Sequence, residues 1–108
     1  MTSLQAMLDA DIVTVAAEAF APTFTGVGLA GETASGKVAK HLRRQFGSPR
    51  WSDPNGPVYD AVALQTILLW ERACVAGRVH SGQLKLLPRG VALQAAPDPT
   101  TALREFLA

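Results

Sequence analysis

The sequence is poor in the residues that usually announce a chemistry. It has one cysteine, Cys74, and two histidines, His41 and His80, in 108 residues. A single cysteine excludes an intrachain disulfide. Its place within an apolar helical stretch reads as a small core residue rather than a nucleophile, which suits a reducing cytoplasm. His41 and His80 lie on different elements with no Cys, Asp or Glu at ligand spacing, so the sequence offers no metal site. No catalytic constellation is present either, and no cofactor motif or small-molecule substrate site is evident.

Charge of one sign is also lacking. Ten Lys and Arg face nine Asp and Glu, a formal net charge of +1, so any attraction to polyanions must come from local clustering. No apolar run reaches the roughly 18 residues of a membrane span. Met1 to Phe20 lacks a basic leader region and carries Asp9, Asp11 and Glu18, which argues against a secretion signal. There is no internal repeat and no low-complexity tract. With 48% hydrophobic residues, the chain can build one core, which predicts a single domain over 1–108 with a helical tail at about 98–108.

What is present is helical periodicity. Thr2 and Gln5 have capping-box spacing, and Leu4, Leu8, Ile12, Val15 and Ala19 recur at helical intervals, predicting one amphipathic helix over 3–20 closed by Pro22. Residues 23–30 read as a short strand or extended segment. Thr33 or Ser35 can cap a second helix ending near Phe46, with Val38, Leu42 and Phe46 on one side. Lys37, Lys40, His41, Arg43 and Arg44 fill most of the opposite arc. A loop rich in proline and glycine follows over 47–57, with Trp51 as its anchor.

Residues 58–76 are apolar on nearly every side (Val58, Val62, Leu64, Ile67, Leu68, Leu69, Trp70, Cys74, Val75), with Pro57 suited to the start and Gly77 to the end. This predicts a central helix covered by its neighbours. Arg78 to His80 and Gln83 to Leu87 then flank Ser81-Gly82, with Leu84 and Leu86 alternating against Gln83 and Lys85 as a half-exposed hairpin requires. A short helical piece near 91–96 precedes Asp98, which can cap a final helix with Pro99 in its first turn. Leu103, Phe106 and Leu107 form the apolar side of that helix, expected to dock or to serve as an interface.

The order helix, extended segment, helix, loop, helix, hairpin resembles the winged helix-turn-helix superfamily. The run Gly77-Arg78-Val79-His80-Ser81-Gly82-Gln83-Leu84-Lys85-Leu86-Leu87-Pro88-Arg89-Gly90 is similar to the wing of many bacterial members, with Leu87 where they commonly have threonine. The resemblance covers about residues 31–96 and implies a mostly α fold with a small β-hairpin, a winged-helix-like single domain. Members that bind DNA present a polar helix to the major groove. Here residues 58–76 offer only Gln65 and Arg72 along one stripe, and the preceding loop is long for a helix-turn-helix turn. Members that bind proteins are the other kind the resemblance allows.

Two motifs bear on function. Gly31-Glu-Thr-Ala-Ser-Gly36-Lys37 has phosphate-loop spacing, but Val38 stands where Ser or Thr should reach Mg²⁺, so nucleotide hydrolysis is not expected. The cluster Lys37, Lys40, His41, Arg43 and Arg44, extended by Arg50, can neutralise backbone phosphates, with Arg78, His80, Lys85 and Arg89 of the hairpin as a second region. A solvated helix face is the plain alternative reading of the cluster. The expected function is therefore non-enzymatic binding. Double-stranded DNA is the first expected partner. The alternative is a protein-interaction module, a homodimer or a subunit of a phage or mobile-element assembly, working through the apolar tail without nucleic acid.

Overall fold

The computed structural model describes residues 3–24, 34–47, 56–78 and 84–108, and within these the chain is mostly helical with one small antiparallel hairpin. The elements are α1 (Ser3–Asp9), α2 (Ile12–Thr23), α3 (Ala34–Phe46), α4 (Gly56–Arg72), β1 (Ala76–Arg78), β2 (Leu84–Leu86), α5 (Pro88–Gln94) and α6 (Pro99–Leu107). Several expectations fall outside the described residues. These are the Thr2 cap, the extended segment from residue 25 onward, the loop with Arg50 and Trp51, His80, and the Ser81-Gly82 turn.

The single first helix expected over 3–20 is two. Asp11 breaks it, with extended backbone (φ −64°, ψ 131°) and a carboxylate that accepts from the Val13 N–H at 3.2 Å, capping α2. Pro22 does not close the helix but sits in its last turn, so Thr23, expected to begin an extended segment, is helical. The α2 helix is the most enclosed part of the fold. It packs on α3, α4 and α6, burying Val15, Ala16, Ala17, Ala19 and Phe20. Alanine at three of these positions, Ala16, Ala17 and Ala19, allows close helix approach.

The α4 helix packs on α3 and α2 through Tyr59, Ala63, Thr66, Ile67 and Trp70. Trp70 is one of an aromatic trio, its ring 5.9 Å from Phe20 and 5.5 Å from Phe24 between centroids. Neighbours cover most of α4 as expected, but not Leu64 and Leu68, which are 48% and 41% exposed one turn apart. Apolar composition on every side of a helix does not guarantee a neighbour on every side.

The end of α4 is also corrected. The helix stops at Arg72, not at Gly77, and Cys74 takes the left-handed conformation (φ 58°) that reverses the chain. The Val75 N–H then bonds the Trp70 carbonyl at 2.9 Å. Cys74 is exposed, not a core residue. Gly77 instead lies in β1, opposite Lys85, in the register Ala76↔Leu86, Gly77↔Lys85, Arg78↔Leu84. Leu84 is buried, Lys85 exposed and Leu86 half-buried, the alternation expected of this strand.

The α5 helix starts at Pro88, earlier than the 91–96 expected, because Leu87 is extended and Pro88 pre-sets the first turn. Gly90 lies so close to the Val75 carbonyl that a Cβ would run into it, which fixes α5 against the hairpin. Asp98 caps α6 as expected, accepting from the Thr101 N–H at 3.2 Å and its hydroxyl at 2.7 Å. Those bonds hold the Asp98 carboxyl below its ordinary pKa. Leu103 is fully buried where α6 packs on α2. Docking consumes it, so of the three residues expected at an interface only Phe106 is exposed, Leu107 being half-buried.

Candidate nucleic-acid interface

The basic face of α3 follows from its spacing. Val38, Ala39 and Leu42 enter the core, so the residues at i, i+3, i+4 and i+7 from Lys37 share the outer side. Lys37, Lys40, His41 and Arg44 therefore converge, and together with Pro22 and Thr23 of α2 they line a cavity of about 150 Å³. Ser35 to Lys37 are helical and Val38 is a core residue, while Gly31 to Thr33 of the phosphate-loop spacing lie outside the described residues.

Arg43 does not join this group. Its guanidinium lies against the start of α4, where a Cβ on Gly56 would come within 2.8 Å of Nη2. It belongs to the junction of α3 and α4. Arg50 and His80 lie outside the described residues.

Two side-chain atoms of the residues that line the cavity are themselves buried and meet no hydrogen-bond partner among the described residues. Thr23 is 1% exposed and its Oγ1 is buried, and His41 Nε2 is buried in the same way. Burial disfavours the imidazolium and lowers the His41 pKa from its ordinary 6.5. A hydrogen bond to Gln45 and the Glu18 carboxylate work in the opposite direction, and Arg44 adds to the lowering. Gln45 in turn donates from Nε2 to Glu18 Oε2 at 2.7 Å, linking α3 to α2.

The hairpin cations are differently placed. Arg78 donates to Glu71 Oε1 at 2.9 Å in an exposed ion pair. Arg89 donates to the Ala73 carbonyl at 2.7 Å and lies 4.9 Å from the centre of the Phe106 ring. Both therefore hold the hairpin region to its surroundings, while Lys85 is exposed on β2. The hairpin packs on α4 and α5, whereas α3 packs on α1, α2 and α4. The outer face of α4 carries Asp60, Leu64, Gln65, Leu68 and Arg72, a mixed surface without a basic stripe.

Thr23 is the site residue that sequence reasoning missed. Nothing local marks it, since its place beside the basic cluster arises from the packing of α2 on α3. Among the described residues no cluster of three His, Cys, Asp or Glu side chains could hold a metal, and no helix is long and apolar enough to cross a membrane. No protein-family model, no curated protein and no solved structure matches the chain.

Proposed function

We propose that the chain is a non-enzymatic, cytoplasmic nucleic-acid-binding module, a winged-helix-like domain that rests α3 on the phosphate backbone of double-stranded DNA. The observation that carries this reading is the convergence of Lys37, Lys40, His41 and Arg44 on one helix face in a chain of net charge only +1. Lys85 on the hairpin supplies a second contact. With Arg78 and Arg89 engaged within the protein, and with an α4 face bearing Leu64 and Leu68, such binding has little means of reading base edges. It positions the protein on a duplex without selecting a sequence.

The test is retention on duplex DNA at low salt. Lys40→Glu combined with Arg44→Glu abolishes it. Wild-type affinity falls steeply with salt, with a log–log slope of about −3 if three or four phosphates are contacted. Wild-type protein that ignores DNA at low salt ends the reading.

Leu64 and Leu68 favour a second reading, a protein-interaction module in which a second copy or another protein covers α4. Self-association predicts a solution mass above 11.4 kDa that Leu68→Asp reduces. A strict monomer in both forms counts against it.

A further inference from the structure

We infer that the outer face of α4 is covered by the same face of a second copy of this chain, in an antiparallel pair about a two-fold axis. This rests on the second reading above and deepens it, naming the occupant of the Leu64 and Leu68 patch and the register in which it docks.

The patch lies on one line. Asp60, Leu64, Leu68 and Arg72 are all exposed and follow one another at intervals of four, so they form a single ridge along α4. At 1.5 Å per residue the ridge is about 18 Å long, with an acid at one end, a base at the other and two leucines between. Among the described residues neither Asp60 nor Arg72 makes an ion pair, whereas the neighbouring Glu71 is taken up by Arg78. Ala61 and Gln65, exposed beside the ridge, add no charge.

That order of side chains is its own complement. Ridges of this kind lie side by side when two helices cross at about −50°. With the two-fold axis passing between Leu64 and Leu68, Leu64 meets Leu68 of the second copy, and Asp60 meets Arg72 of the second copy at both ends. Every contact then occurs twice, and the pair closes on itself without leaving a free face for a third copy. A parallel pair would instead set Asp60 against Asp60 and Arg72 against Arg72, so charge selects the antiparallel register. Antiparallel α4 helices also oppose their dipoles. A polyanion is a poor occupant of the same face, because Asp60 repels it and the leucines offer phosphates nothing.

Area sets the strength. A ridge about 18 Å long on a helix about 10 Å across covers well under the roughly 800 Å² per partner of a standard stable interface. The leucines drive association, while the two exposed ion pairs fix its register and add little affinity. The dimer is therefore weak and reversible, with a Kd on the order of 10–100 µM.

Sedimentation equilibrium from about 10 to 500 µM in low-salt buffer brackets that range and tests the pair. The mass is expected to climb from 11.4 kDa toward twice that value. Leu68→Asp, at an exposed position, keeps the chain folded and monomeric. Asp60→Lys and Arg72→Glu each set like charges together at both ends and weaken dimerisation about tenfold, a loss that added salt narrows. The double variant, or an equimolar mixture of the two single ones, restores wild-type association. In a parallel pair each single reversal leaves like facing like and changes nothing. A strict monomer throughout overturns the pair and leaves α4 open to another protein. Association that Leu68→Asp abolishes but the charge reversals leave unchanged overturns the antiparallel register and keeps α4 as an interaction surface. Association untouched by Leu68→Asp overturns both the pair and that reading of α4.

Discussion

The indole N–H of Trp70 on α4 donates to the main-chain carbonyl of Ala16 on α2, at 3.1 Å across 54 residues of sequence. The contact is possible because position 16 carries only a methyl group, so a large ring can approach the α2 backbone. It ties together the two helices that share the core, and both partners are buried.

Trp70→Phe keeps a ring between Phe20 and Phe24 but removes the N–H. It is expected to cost about 1–2 kcal/mol in urea unfolding. Trp70→Ala removes the ring as well and is expected to cost about 3–5 kcal/mol. Equal losses in the two variants would contradict this division between hydrogen bond and packing.

Cys74→Gly is expected to raise stability. Left-handed backbone costs a residue with a Cβ about 1–2 kcal/mol, and glycine gives back roughly 0.5–1 kcal/mol through the greater freedom of its unfolded chain. The thiol is exposed, so no packing is lost. The net expectation is a gain of about 0.5–1 kcal/mol, visible as a higher Tm, whereas Cys74→Val, β-branched at the same φ of 58°, lowers it.

His41 makes stability depend on pH in a defined direction. Burial lowers its folded pKa below 6.5, so between those two values the unfolded chain binds more protons than the folded one. The stability this preference contributes is fully present above about 6.5, is lost as pH falls through the window, and changes no further below the folded value. In chloride buffers free of oxyanions, His41→Gln is expected to show a shallower loss of stability than the wild type from pH 7 to 5.5. Parallel profiles would show that the imidazole titrates alike in both states.

Elements whose signal lies in short-range spacing were legible in the sequence. Val38 and Leu42 at helical interval identify α3, Leu84 and Leu86 around Lys85 identify β2, and Asp98 with Pro99 marks the start of α6. The sequence misled where the deciding contact is tertiary or the competition is subtle. Asp11 lies within an unbroken helical period, and only its cap to Val13 reveals the break. The leucines of α4 look like core by type, and which of them meet a neighbour depends on how α2 and α3 cross that helix. The basic face of α3 was readable, whereas the separation of Arg43 from it depends on where α4 begins. Thr23 enters the site through α2 packing on α3, a relation no local pattern encodes.

The docking of α6 on α2 sets an order for biosynthesis. Leu103 covers α2, and Arg104 stands beside Glu18, so the second helix has no lid until residues beyond 98 have left the ribosome. A nascent chain halted before that point leaves the α6-facing side of α2 open to water, a natural target for chaperones until α6 docks.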